Sequence, residues 1–221
     1  MQLLLLTDIH DRLSRVKVLA EKIVKENVTI EAVLIAGDLT YFRRAERAVK
    51  ILREIRRLID APVYFVPGNC DDPRLLELTF DEERIYNVHG RVVHFDQYAV
   101  YGIGGSNETP FSTPIEWSEE KIEEYVEKAR DLEPEKFIMI THVPIYCVMD
   151  ELVEGHVGSR ALRKFLDERQ PVLWVTGHLH EYSGYVKIGR TVVVNPGPLM
   201  YGYYAIAEIS DRAVSIIIKK L

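Results

Sequence analysis

Seven side chains able to bind a metal ion stand at five places in the sequence, the first at each place within three residues of a short apolar run. Residues 3–6 are followed by Asp8 and His10, 33–35 by Asp38, 63–66 by Asn69, 137–140 by His142, and 172–175 by His178 and His180. Short β-rich runs of this kind read as buried strands. In open α/β sheets, ligands gather just beyond the carboxyl ends of the strands, so all seven side chains are expected to meet at one sheet edge as a metal centre. In Asp8-Ile9-His10 and His178-Leu179-His180, alternate side chains lie on one side of an extended segment, so both members of each pair can turn to the same site.

The elements that must position these residues follow from periodicity. Leu13, Val16, Leu19, Ile23 and Val24 predict a helix over 12–26, and Ala45, Ala48, Val49, Leu52, Ile55 and Ile59 predict a second over 43–59. Strand, helix, strand, helix, strand is a βαβαβ half, expected to be parallel with right-handed crossovers. Residues 91–95 and 99–103 read as a hairpin around Asp96 and Gln97, and a long segment rich in Gly, Ser, Thr and Pro, 104–117, precedes a helix opening at Ser118. A strand to Thr141, a helix over 159–170 and a strand to Thr176 repeat the early logic. Residues 182–187, 191–194, 203–209 and 213–219 then read as strands, with turns at Gly189, 196–198 and 210–212, so the chain should end in antiparallel sheet. Two sheets packed face to face and flanked by helices is the simplest architecture for both halves, in one domain over 1–221.

Composition bounds the function classes. With 221 residues, 47% hydrophobic and 28% charged, the chain reads as an ordinary globular protein. Residues 3–6 are too short for a signal sequence or a membrane span, so a cytoplasmic protein without a membrane partner is expected. Cys70 and Cys147 are expected to be reduced thiols. A net charge of −6 argues against a dedicated nucleic-acid binder. Locally, Arg43, Arg44, Arg47, Lys50, Arg53, Arg56 and Arg57 form a basic stretch, either a solvated helix face with Glu46 and Glu54 or a phosphate-steering patch. The scarcity of Gln and Asn beside abundant Glu, Lys and Arg suggests heat adaptation.

Taken together, Asp8-Ile9-His10, Gly37-Asp38, Gly68-Asn69-Cys70-Asp71, His142 and Gly177-His178-Leu179-His180 resemble, in order and spacing, the calcineurin-like metallophosphoesterase family, in particular a microbial branch with Gly-Asn-Cys-Asp. The resemblance implies a four-layer α/β/β/α sandwich of two mixed β-sheets flanked by helices. It also implies two divalent metal ions, one held by Asp8, His10, Asp38 and His180, the other by Asp38, Asn69, His142 and His178, with Asp38 bridging. Such a pair would share a hydroxide for in-line attack on phosphorus. The mixed donor set favours Mn²⁺, with Fe, Zn²⁺ or Ni²⁺ as alternatives to it.

Cys70 stands where many members of that family carry a histidine that serves the phosphate or the leaving group. Cysteine is a weak donor, so a phosphodiesterase acting on a small ester, a nucleotide among the candidates, is favoured over an alkyl monoesterase. The expected catalytic set is Asp38, Asn69, Cys70 and His156, the last as substitute for the missing histidine. His89 and His94 are assigned packing or surface roles. Asn195-Pro196-Gly197 is a turn or a segment near the site, and 104–111 either covers substrate or packs as a structural loop. Hydrolysis of a pyrophosphate bond, a non-catalytic metal-binding scaffold and assembly into a homo-oligomer stay open.

Overall fold

The apolar runs 3–6, 33–35 and 63–66 are wholly buried on both faces. The computed structural model describes residues 1–210 and 213–221. Its first strands are β1 (Gln2–Leu6), β2 (Ala32–Ala36), β3 (Val63–Val66), β4 (Ile85–Asn87), β5 (Val93–Phe95), β6 (Tyr98–Ile103), β7 (Ser106–Asn107) and β8 (Glu116–Trp117). They continue as β9 (Phe137–Thr141), β10 (Glu151–Leu152), β11 (Gly155–His156), β12 (Leu173–Val175), β13 (Gly184–Ile188), β14 (Thr191–Asn195), β15 (Tyr203–Ser210) and β16 (Ala213–Lys220). The helices are α1 (Leu13–Lys25), α2 (Ala45–Ile59), α3 (Glu119–Glu127) and α4 (Arg160–Arg169).

Two six-stranded sheets result, ordered β16-β15-β1-β2-β3-β4 and β13-β14-β12-β9-β6-β5. In the first, β1 to β4 run parallel and β15 and β16 add antiparallel strands. In the second, β6, β9, β12 and β14 are parallel, with β5 and β13 antiparallel at the edges. Both sheets are therefore mixed.

Alternation along the strands builds the layers. Leu3, Leu5, Leu34, Tyr64 and Val66 pack between the sheets with Val100, Ile138, Ile140 and Val194. Leu4, Leu6, Val33, Ile35 and Phe65 point the other way, into Val16, Leu19, Ile51, Leu52 and Ile55 of α1 and α2. On the far side Tyr101, Met139, Trp174 and Val193 meet Ile122 and Val126 of α3 and Leu162, Phe165 and Leu166 of α4. Helix, sheet, sheet, helix is the four-layer α/β/β/α sandwich. Ser118 and Ser159 cap α3 and α4, their side chains accepting from the backbone N–H of Lys121 and Leu162.

Several boundaries differ from the sequence reading. Helix α2 starts at Ala45 because Arg44 is extended, with φ −63° and ψ 153°. The strand expected from Tyr182 starts at Gly184, since Tyr182 closes a turn by donating to the Leu179 carbonyl at 3.2 Å. The antiparallel end of the chain divides between the sheets: β13 and β14 close the second, with β14 parallel to β12, and β15 and β16 close the first. Of the turn expected at 210–212, Ser210 ends β15 and the other two residues lie outside the described residues.

Candidate metal centre

Each expected ligand lies at a strand's carboxyl end, and the loops bearing them are laced together by backbone hydrogen bonds. Asp8 N–H donates to the Gly37 carbonyl at 3.1 Å, His10 to Asp38 at 3.0 Å and Asp11 to Leu39 at 3.1 Å, so the loop after β1 rides along the loop after β2. To aim their side chains inward, Asp8, His10, Asp38 and His178 take left-handed backbone conformations, with φ of 51°, 44°, 50° and 70°. Such φ values are uncommon for residues other than glycine and cluster at functional sites. Gly37 has φ +89°, and a Cβ there would meet His142 Nδ1 at 2.5 Å; a Cβ on Gly68 would run into Asp38. Glycine precedes these ligands because the loops approach too closely for any side chain.

The side chains converge. Asp38 Oδ2 lies 3.5 Å from His10 Nε2 and Asp38 Oδ1 lies 3.5 Å from His142 Nε2, so one carboxylate faces two groups of ligands. On the His10 side, His180 Nε2 is 3.1 Å from Asp8 Oδ1 and 3.3 Å from His10 Nε2. On the other, Asn69 Oδ1 lies 2.9 Å from His142 Nε2 and 3.0 Å from His178 Nδ1. Donor atoms of Asp8, His10 and His180, and of Asp8, Asp38 and His142, fall within 4.8 Å of one another in each set, so Asp8 contributes to both.

Electrostatics fit cations. Asp8 and Asp38 are 1% and 3% exposed, and among the described residues no Lys or Arg side chain bonds them. Burial opposes ionisation of Asp8, but hydrogen bonds from His10 and His180 outweigh it and hold its pKa well below the usual carboxylate range. Asp38 is likewise lowered, burial being overcome by His142. Burial also opposes charge on His142, yet Asp38 and Asp8 raise its pKa to about 9. His10 is raised against burial by Asp8 and Asp38. His178 is pushed down to about 4 by burial and by repulsion from His142. Two buried carboxylates among imidazoles and a carboxamide form an anionic pocket of N and O donors that could hold metal ions.

Other expected residues stand apart from this cluster or beside it. Cys70 is buried, its N–H donating to Asp38 Oδ1 at 2.9 Å, and burial with Asp38 pushes its thiol pKa up. His156 lies in the short β10–β11 hairpin, where its Nδ1 is 2.7 Å from Oδ1 of the fully buried Asp150. His89 has the packing role assigned to it: it stacks on Trp117, and its Nδ1 accepts from Gly104 N–H at 2.9 Å. His94 is exposed. The Asn195-Pro196-Gly197 turn backs onto the ligand loop, Asn195 Nδ2 donating to the Leu179 carbonyl at 3.2 Å. Most of the arginines near α2 are engaged: Arg47 with Asp11, Arg53 with Glu83, Arg56 with Asp60 and Arg57 with Glu54. That pattern favours a solvated, paired surface.

Three supporting residues were missed by sequence reasoning. Asp71 accepts from Leu39 N–H, Thr40 N–H, Thr40 Oγ1 and Gly68 N–H at 2.7–3.0 Å, tying the loops after β2 and β3 together. Its signal was its place in Gly-Asn-Cys-Asp. Thr113 accepts from Asn69 Nδ2 at 3.0 Å and donates to Glu116 Oε1 at 2.6 Å, while Glu116 also accepts from Thr113 N–H and from Thr109. The segment over 104–117 is thus fastened, through Thr113, to a ligand; only its length hinted at this.

Comparisons with known proteins agree with the geometry. A family model described as calcineurin-like phosphoesterase matches residues 1–182. An uncharacterized protein of Methanocaldococcus jannaschii is 32% identical over 183 residues, spanning 79% of this chain and 80% of its own. A crystal structure from Thermus thermophilus is similar with a TM-score of 0.72 at 18% identity, covering 97% of each chain. A dimetal phosphatase from Danio rerio is similar with a TM-score of 0.63 at 12% identity, covering 100% of this chain and 98% of that one. At these identities the two structures speak for the fold alone.

Proposed function

The chain belongs to the calcineurin-like phosphoesterase family, and from that premise we propose that it is a metal-dependent phosphoric ester hydrolase that favours phosphodiesters. The observation that carries the reading is Asp38, whose two oxygens face His10 and His142 at 3.5 Å each. Only a carboxylate can offer two anionic oxygens to two cations. Asp8, His10, Asp38 and His180 would hold one ion, and Asp38, Asn69, His142 and His178 the other, with Mn²⁺ favoured. When bound, the ions supply an activated water and neutralise charge on the phosphoryl oxygens. His142, whose pKa is raised to about 9, must release a proton to become a ligand.

The preference for diesters rests on the acid. Cys70 occupies the place of the family's usual histidine, and its buried thiol is a weak hydrogen-bond donor. His156 is the remaining candidate: Asp150 fixes one ring nitrogen at 2.7 Å and the side chain is 36% exposed. It packs on Tyr146 rather than on an expected ligand, so its role as acid is tested by His156→Ala, which should slow turnover of diester and monoester alike. A small phosphate ester suits the site better than nucleic acid, given the ion-paired arginines near α2. Among the described residues no helix is long and apolar enough to cross a membrane. Cys70 and Cys147 are both free thiols, which fits a cytoplasmic setting. The core shared by both sheets supports one domain over 1–221.

The test is turnover of bis-(4-nitrophenyl) phosphate and 4-nitrophenyl phosphate, side by side, by metal-free protein reloaded with Mn²⁺. Mn²⁺-dependent diester turnover that falls more than about 100-fold in Asp38→Asn, beyond the loss typical of an outer partner, is the expected result. No turnover of either ester with two ions bound would overturn it.

A further inference from the structure

The centre opens to solvent on one side. His142 is fully buried and the His10 side chain is 5% exposed, whereas the His180 side chain is 32% exposed. Beyond His10 and His180 lies a cleft of about 540 Å³ bordered by Tyr41, Tyr201, Arg12 and Arg43. Tyr41 meets the His10 ring edge-on at 5.5 Å and Tyr201 meets the His180 ring edge-on at 6.0 Å, so each tyrosine flanks one expected ligand and both line the same cleft.

Both tyrosines are more than half exposed, at 58% and 54%, yet their backbones are anchored. Tyr41 N–H donates to Asp11 Oδ2 at 3.1 Å. Tyr201 ends a turn in which Leu199 N–H donates to the Thr7 carbonyl at 3.0 Å and Met200 N–H to the Asp8 carbonyl at 3.1 Å. Aromatic rings held in water beside a reaction centre are contact surfaces in search of a planar partner. Arg43 adds charge: its side chain is 67% exposed and its Nε lies 3.6 Å from Asp11 Oδ2, too far for a hydrogen bond, while Arg47 takes Asp11 Oδ1 at 2.8 Å. Arg12 and Arg43 line the cleft together with Asp11, so cations outnumber the anion where an anionic ester would enter a molecule with a net charge of −6.

We propose that this cleft binds the retained ester arm of the substrate, and that the arm is a nucleoside whose base packs on Tyr41 and Tyr201 beside the Arg43 guanidinium. The inference rests on the hydrolase reading and names its substrate class. The ester whose phosphorus lies at Asp38 must send its second arm somewhere; His142 and Asn69 are buried, whereas the cleft beyond His10 and His180 is open.

Two diesters with the same leaving group test it: thymidine 5′-(4-nitrophenyl phosphate) and methyl 4-nitrophenyl phosphate, with Mn²⁺-loaded protein. The native protein is expected to show a kcat/KM at least about tenfold higher for the thymidine ester, as base stacking allows. Tyr201→Ala and Tyr41→Ala should each reduce that ratio several-fold, mostly through KM, and Tyr201→Phe should restore it. A native ratio near one, or an equal loss on both esters in the alanine variants, overturns the proposal. Calorimetric binding of thymidine 5′-monophosphate separates the two readings: if neither ester turns over, binding weakened by Tyr201→Ala keeps the subsite while the hydrolase fails, and binding unchanged by it overturns the subsite.

Discussion

At Asn69 a carboxamide can be turned either way, and the Thr113 hydroxyl decides which. By accepting from Nδ2 at 3.0 Å while donating to Glu116, Thr113 leaves Oδ1 facing His142 and His178. Thr113→Val should weaken one of the two proposed metal sites by about tenfold, the usual effect of losing an outer partner, and spare the other; Thr113→Ser should keep both. Calorimetric titration of metal-free protein reads this directly, and equal weakening of both sites would refute it. A second prediction concerns His142. Its pKa rises from 6.5 to about 9 on folding, so its contribution to stability is complete below pH 6.5 and is lost as pH rises through about 9. The lowered His178 acts only below pH 6.5 and leaves that window untouched. Metal-free protein should therefore lose on the order of 2 kcal/mol between pH 7 and 9.5, seen as a falling Tm. The slope should flatten in Asp38→Asn, which removes the chief cause of the shift.

Among the elements, Asp71 is the tie between two ligand loops. Asp71→Ala would leave Leu39, Thr40 and Gly68 donors unpaired in a buried place, costing about 3 kcal/mol or more. A lower denaturant midpoint with an unchanged m-value is the expected signature. The strands that carry the ligands were legible because parallel strands covered on both faces must be apolar throughout, as 3–6, 33–35 and 63–66 are. Strand β4, with only Ile85, Tyr86 and Asn87, was too short to leave a pattern. The two last hairpins were readable as hairpins because their pairing is local. Their division between sheets was not, since it depends on contacts such as β14 with β12 that no nearby residue announces. Thr113 and Glu116 escaped for the related reason that a hydroxyl and a carboxylate in an irregular loop have no period to betray them.

For the whole molecule, the layer between the sheets draws Leu3, Leu5 and Tyr64 from one and Ile138, Ile140 and Val194 from the other. Neither sheet can leave without exposing both faces, so unfolding should be a single transition. Fluorescence of the buried Trp174 and far-UV circular dichroism should coincide in denaturant, and Leu5→Ala should shift both together by about 2–5 kcal/mol; separated curves would speak for two units. The proposed ligands too are drawn from both sheets, Asp8, Asp38 and Asn69 beyond β1 to β3 and His142 and His178 beyond β9 and β12. Bound ions should raise Tm by mass action. The cleft walls, by contrast, are Tyr41 and Tyr201, carried on loops whose exposed side chains hold up no part of the core. A lineage built on this plan can change its diet by exchanging a few surface residues while its reactive machinery stays fixed in the sandwich, so descendants of one ancestor can diverge in appetite and keep the same chemistry.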